Sequence, residues 1–116
     1  MTIVESSKHP FHFPVEEGKN LPITPGLRSA QLFNHGSMKV RFYSPKGVDE
    51  QTPHSQDEIY IILSGKGWFQ NGEERHPFDS GDVIFAPAGL EHRFFDFSND
   101  FATWVIFYGP EGGELP

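Results

Sequence analysis

Cysteine is absent from this 116-residue chain, so the sequence excludes disulfide bridges and thiolate metal ligands. A metal ion would have to bind through nitrogen or oxygen atoms, which His, Asp, Glu and amide side chains supply. A chain without disulfides is compatible with a reducing compartment, and we expect a cytoplasmic protein.

Basic runs are also lacking. No two Lys or Arg residues are adjacent, and the formal net charge is −7. Binding to a phosphate backbone or to an anionic membrane surface requires clustered positive charge. We therefore expect neither nucleic acid nor a membrane as a partner.

Long apolar runs are missing too. Nowhere do eighteen apolar residues follow one another, and the first 14 residues lack a basic segment followed by an apolar stretch. These two absences predict a soluble chain without a processed leader.

Helical periodicity does not extend over three turns anywhere. Instead, Gly (twelve) and Pro (ten) separate short runs rich in the twelve Phe, three Tyr and two Trp residues, which is typical of all-β proteins. The predicted strands cover residues 27–34, 38–43, 59–63, 67–70, 83–86, 92–97 and 102–108. Turn signals at Asn34-His35-Gly36 and Asn71-Gly72 predict antiparallel neighbours.

The length suits one domain with a single core. Residues 1–25 contain several prolines and favour an extended arm or edge strands over a helix. Residues 26–116 then form one β-domain, which the strand spacing predicts to be a sandwich, a closed barrel or a jelly roll.

Two segments contain the residues suited to chemistry. Side chains on a strand alternate between its faces, so His54 and Glu58 are expected to point the same way. If the strand with His92 lies beside theirs, two imidazoles and one carboxylate meet in the interior. Such a set suits Fe(II), Mn(II), Ni(II), Zn(II) or Cu(II), and a divalent cation would remove the cost of burying Glu58.

The spacing of these residues resembles the two motifs of the cupin superfamily. His54, Glu58 and Gly65 match the first motif, and Gly81, Pro87-Ala88-Gly89 and His92 match the second. The resemblance implies a double-stranded β-helix, or jelly-roll barrel, with His54, Glu58 and His92 as metal ligands. It also implies that the motif glycines and Pro87 shape turns and strand ends.

One position departs from the motif, because Thr52 stands where the first of two histidines is usual. The remaining two-histidine, one-carboxylate set has the composition of the facial triad of non-haem iron enzymes. Gln56, on the same predicted strand face as His54, or the nearby Gln51, is a candidate replacement ligand.

Several other side chains have simpler expected roles. Arg41 is expected to be exposed, although an inward Arg41 or Tyr60 could hold a substrate carboxylate or phenolate. Core positions are expected for Trp68, Phe85, Phe94, Trp104 and Phe107. Solvated turns are expected for Asp49, Glu50, Asp57, Glu73 and Glu74, and surface positions for His9, His12, His35 and His76. Residues 111–116 are expected to form a flexible end.

The favoured function is that of a metalloenzyme acting on a small oxygen-bearing substrate, with dioxygenase chemistry ahead of isomerase or decarboxylase chemistry. The alternative is a non-catalytic barrel that binds a small molecule, with a metal that is structural or that grips the ligand. The resemblance also implies a homodimer, formed through sheet faces or exchanged N-terminal strands, and outward Phe95 and Phe97 would be consistent with it.

Overall fold

The computed structural model describes the backbone of residues 2–3 and all of residues 11–23 and 28–116. Within these ranges the chain forms nine strands and one short helix. Their bounds are β1 Thr2–Ile3, α1 Val15–Asn20, β2 Ala30–His35, β3 Met38–Tyr43, β4 Asp57–Ser64, β5 Gly67–Asn71, β6 Glu74–Phe78, β7 Val83–Ala86, β8 His92–Phe95 and β9 Ala102–Tyr108.

The strands form two sheets in which every pairing is antiparallel. The larger sheet has the order β1-β2-β3-β9-β4-β7, and the smaller has the order β6-β5-β8. Strands distant in sequence are therefore neighbours, as in a jelly roll, and the predicted all-β double-stranded β-helix is confirmed. No helix in the described part of the chain is long and apolar enough to span a membrane.

The core has two parts because the larger sheet is covered on both faces. An interior cluster between the sheets contains Tyr43, Tyr60, Ile62, Phe69, Phe78, Ala86, Phe94, Phe101, Val105 and Phe107. An outer cluster forms on the opposite face of the larger sheet, where residues around α1 pack on Ala30, Leu32, Phe33, Phe42 and Ala102. Phe42 and Tyr43 show the alternation directly, since these neighbours on β3 belong to different clusters.

Two elements differ from the sequence predictions. The arm contains helix α1 between Pro14 and Pro22, whereas extended structure is predicted there. Strand β6 was missed because Pro77 argues against a strand, yet β6 lies at the edge of its sheet, where a proline is tolerated. His76 therefore lies in a strand, and it is exposed as expected. Residues 1, 4–10 and 24–27, including His9, lie outside the described residues.

Some aromatic residues also lie elsewhere than predicted. Trp68 and Phe85 are 42% and 48% exposed, so their assignment to the core is wrong, whereas Phe94 and Phe107 are buried as expected. Trp104 is half-buried against the outer cluster. Phe97 is not an outward residue, because it packs on the interior cluster, while Phe95 is half-buried beside Trp68.

The C-terminal tail is attached to the barrel. The backbone N–H of Glu114 donates to Asp57 Oδ2 at 2.8 Å, and that of Gly112 donates to the Ser55 carbonyl at 2.6 Å. The other oxygen of Asp57 accepts from Ala88 N–H at 2.9 Å. These two backbone hydrogen bonds lower the pKa of Asp57. Asp57 is thus a buried anchor for two loops, and the prediction of a solvated charge is wrong. Flexibility of the tail as a whole stays a prediction.

Candidate metal centre

Three side chains meet at one end of the barrel interior. Glu58 is the second residue of β4, and His92 is the first residue of β8, in the opposite sheet. His54 lies in the loop before β4, not on the strand itself, and Gly89 N–H fixes it by donating to its carbonyl at 2.8 Å. One ligand atom from each residue lies within 4.8 Å of the other two. The structure therefore brings together the three predicted ligands.

The tautomer of His92 leaves a lone pair directed at a carboxylate. His92 Nδ1 lies 2.9 Å from the Leu90 carbonyl, which accepts only if Nδ1 carries a proton. In the neutral ring, Nε2 then presents its lone pair, and its ion-pair neighbour is Glu58 Oε1. A cation or a proton must lie between these two atoms to prevent repulsion.

The same centre contains two unpartnered buried atoms. Within the described ranges, Glu58 Oε2 and His92 Nε2 have no hydrogen-bond partner, although Nε2 lies in ion-pair contact with Glu58 Oε1. Both side chains are 1% exposed, so bulk solvent does not reach them. A divalent cation would satisfy both atoms, and the residues present fit a metal ion.

The two histidines differ electrostatically. Burial lowers the pKa of His54, against the opposing effect of Glu58, so this ring is neutral and available as a ligand. Burial also lowers the pKa of His92, but Glu58 and the Leu90 carbonyl outweigh it, and the pKa is raised. The Glu58 carboxylate thus favours protonation of His92 in a metal-free centre, and a metal ion bound there would displace that proton.

A buried hydroxyl supports the carboxylate ligand. Tyr60 Oη lies 3.1 Å from Glu58 Oε1 and 3.0 Å from Gln51 Oε1, so one proton has two acceptors. Burial and the Glu58 charge raise the pKa of Tyr60 well above its usual value, which keeps it protonated as a donor. Tyr60 is therefore a positioning residue for Glu58.

The carboxylate of Asp49 supports the hydrogen bonds of Tyr60 by binding Gln51. Its carboxylate accepts from Tyr43 Oη at 2.5 Å, from Phe94 N–H at 2.8 Å, and from both the backbone N–H and the amide Nε2 of Gln51, at 3.1 and 2.8 Å. It is 5% exposed, so the expected solvated turn charge is wrong. Asp49 links Gln51 to β8 at Phe94, two residues beyond His92, and its role was missed because this partner is 45 residues away in sequence.

A cavity of about 230 Å³ lies next to the centre. Of the three candidate ligands, His54 lines it, together with Thr52 and Gln51 from the same loop. Its other lining residues are Arg28, Ser29, Arg41, Tyr43, Glu50, Val105 and Phe107. The expectation of an exposed Arg41 is wrong, because this residue is half-buried and faces the cavity. Its shared face with Tyr43 on β3 was the available signal.

The proposed fourth ligand has other partners. Gln56 is buried, and its Nε2 donates to the carbonyls of Ser37 and Gly109 at 2.8 and 2.9 Å. These bonds tie the β2–β3 turn to the end of β9. Gln51 instead contacts the hydroxyl that supports Glu58. Metal ligation by Gln56, Gln51 or Thr52 stays a prediction.

Comparison with known proteins gives one family. A family model described as "Cupin domain" matches residues 31–108, which include all three candidate ligands. An uncharacterised protein of Streptomyces coelicolor is 35% identical over 83 residues, covering 70% of this chain and 79% of that protein. A conserved protein of unknown function from Streptococcus pyogenes has a similar solved structure, with a TM-score of 0.68 at 20% identity over 96% of this chain and 97% of that one.

Other relatives of this chain are enzymes named acireductone dioxygenase. The acireductone dioxygenase of Yarrowia lipolytica is 29% identical over 102 residues. The match covers 72% of this chain and 55% of the enzyme. This chain thus spans about half the length of that relative.

Proposed function

This chain belongs to the cupin family, and from that premise we propose that it is a metal-dependent enzyme of the dioxygenase type acting on a small oxygen-bearing substrate. The observation that carries the proposal is the meeting of His54, Glu58 and His92 ligand atoms within 4.8 Å, where two of the buried donor atoms have no hydrogen-bond partner. Such a centre is costly to fold unless a cation occupies it.

The donor set limits the choice of metal. Two imidazole nitrogens and one carboxylate oxygen suit Fe(II), Mn(II), Ni(II), Zn(II) and Cu(II), and three protein ligands leave coordination positions open. A bound Fe(II) would supply a centre that activates O₂ and polarises substrate oxygen atoms.

The surrounding residues support chemistry that excludes water. Phe69 and Phe94 are 1% exposed and pack close to Tyr60, and the Phe107 ring lies 4.8 Å from the His54 ring. This aromatic wall would shield reactive species from solvent, while Tyr60 keeps the Glu58 carboxylate in place.

The named relatives favour dioxygenase over isomerase or decarboxylase chemistry, since acireductone dioxygenases align with 72% of this chain in one case. Because these enzymes are longer than this chain and Thr52 departs from the cupin motif, the proposal does not extend their substrate to this protein. An enediol such as an acireductone, together with phenols and small hydroxy acids, therefore forms the substrate panel.

Oxygen uptake tests the proposal. Protein loaded with Fe(II), Ni(II) or Zn(II), and metal-free protein, would be assayed in an oxygen electrode against this panel. We expect substrate-dependent uptake with a redox-active metal and a loss of about 100-fold or more in Glu58→Gln, since a ligand is removed. Glu91→Gln, which changes an exposed carboxylate near His92, should retain activity.

Full metal occupancy without uptake for any substrate would contradict the enzyme proposal. That result would instead favour the alternative, a barrel that binds a small molecule without catalysis.

A further inference from the structure

We propose that Arg41 is the anion-binding residue of the cavity beside the metal centre, and that the substrate is therefore a small acid whose carboxylate it holds. This inference adds a substrate class to the proposed function, and it rests on that function only in calling the bound acid a substrate. The anion-binding role itself depends only on the cavity and on Arg41.

Arg41 is positioned by the alternation of β3. It shares the inward face of that strand with Tyr43, and its backbone pairs with Val105 on β9. Its guanidinium carbon lies 4.9 Å from the centre of the Phe107 ring, and that ring packs edge-on against His54 at 4.8 Å. One aromatic ring thus contacts both the cation and a candidate metal ligand.

The charge of Arg41 has no carboxylate partner in the described part of the chain. The ion pairs that arginines form there are Arg28 with Glu50 at 3.7 Å and Arg93 with Glu91 at 3.3 Å. Arg41 Nε is buried without a hydrogen-bond partner. Burial lowers the pKa of Arg41, while the Glu58 charge raises it, so the site is electrostatically costly without a bound anion.

A carboxylate would match what Arg41 lacks. The planar guanidinium offers a fork of N–H donors that a carboxylate accepts in a bidentate manner, and the Phe107 ring beneath the guanidinium carbon limits its movement. A ligand anchored there would lie against His54, one of the three candidate metal ligands.

The size of the cavity restricts the acid. Its volume of about 230 Å³ is below the roughly 300–1,000 Å³ typical of sites for drug-sized ligands. Gln51 and Thr52 supply polar groups on the wall next to His54. A short hydroxy or oxo acid, whose second oxygen could contact these polar groups, fits these features.

The test is a titration followed by ¹H–¹⁵N NMR with glycolate, lactate and pyruvate as probes, and with the neutral amides glycolamide and lactamide as matched probes. Metal-free and Zn(II)-loaded protein would both be used, because neither turns over. The variants are Arg41→Gln, Arg41→Lys, which keeps the charge without the fork, and Arg93→Gln, which removes one exposed charge on β8.

We expect saturable binding of at least one acid to wild type and to Arg93→Gln, with affinity reduced about 10- to 100-fold in Arg41→Gln and less in Arg41→Lys. The amides should bind weakly to all variants. Acid binding that is unchanged in both Arg41 variants, amide binding equal to acid binding, or no binding of any acid would overturn the proposal.

The outcome is separable from that for the metal centre. Arg41 contributes no ligand, so Arg41→Gln should retain wild-type Zn(II) content. Acid binding to metal-free protein tests the role of Arg41 even if the chain binds no metal. Failure of the wild type to bind Zn(II) would count against the proposed function and not against the role of Arg41.

Discussion

At the scale of single residues, Tyr60 is the most consequential neighbour of the metal centre. Its hydroxyl lies 3.1 Å from Glu58 Oε1, so Tyr60→Phe should leave the fold intact but remove this support of the carboxylate. We expect metal affinity to fall about 10-fold or more, as is typical when a residue that orients a ligand is lost. Competition with a chelator measures this, with Tyr108→Phe as the control.

If Tyr60 acts by positioning, kcat should fall more than the affinity for substrate, and added metal should restore part of the activity. Unchanged metal affinity in Tyr60→Phe would show that Glu58 is held by other contacts.

Asp49 should be important for stability. Asp49→Asn replaces one of two accepting oxygens with a donor amide, which then faces N–H or O–H groups. We expect about 2–3 kcal/mol of destabilisation in urea unfolding. Glu50→Gln, at an exposed neighbour, should change stability by less than about 0.5 kcal/mol. Equal effects at the two positions would contradict the anchoring role.

Asp49 and Asp57 also show what the sequence does not reveal about the site. His54, Glu58 and His92 were predictable because their spacing resembles a known pair of motifs. The acidic anchors were not, since each binds a backbone N–H group far along the chain, Phe94 for Asp49 and Glu114 for Asp57. Local composition gives acidic turn residues the same prediction whether or not a distant strand covers them.

At the scale of elements, the apolar pattern of the sequence predicted the regular strands, but it predicted neither the strand that contains a proline nor the short helix. The bounds of β3, β7 and β9 match the predicted ranges, because an alternating pattern in β3 and apolar runs in β7 and β9 are bounded there by turn residues. Strand β6 was missed because of Pro77. Helix α1 was missed because it is short, although Pro14 at its start and two glutamates in its first turn favour a helix.

The strand ends depend on glycines with positive φ. Gly65 has φ +86°, and a Cβ there would lie 2.6 Å from the Phe101 Cα. Gly81 has φ +89° with nothing within 4 Å of the added atom. Gly81→Ala should therefore cost only the conformational penalty of about 1–2 kcal/mol. Gly65→Ala should cost about 1–3 kcal/mol more, since the backbone must shift. Urea unfolding compares them, and equal costs would contradict the close approach at Gly65.

At the scale of the whole molecule, the expected homodimer stays a prediction. Light scattering after size exclusion should give a mass twice the 13.1 kDa of the chain. Exposed Trp68 and Phe85 would be less exposed in such an assembly if they lie in its interface. A mass equal to that of one chain across micromolar concentrations would remove the prediction.

The metal content of the purified protein tests the whole account most directly. Untagged wild type, His92→Ala and His76→Ala would be purified without chelator or added metal and analysed by elemental mass spectrometry. His76 is the control because it is exposed on β6, with Glu74 as its ion-pair neighbour. We predict near-stoichiometric metal in wild type and His76→Ala, and its loss in His92→Ala. Wild type that stays free of metal, even after loading with Fe(II), Mn(II), Ni(II), Zn(II) or Cu(II), would contradict the account.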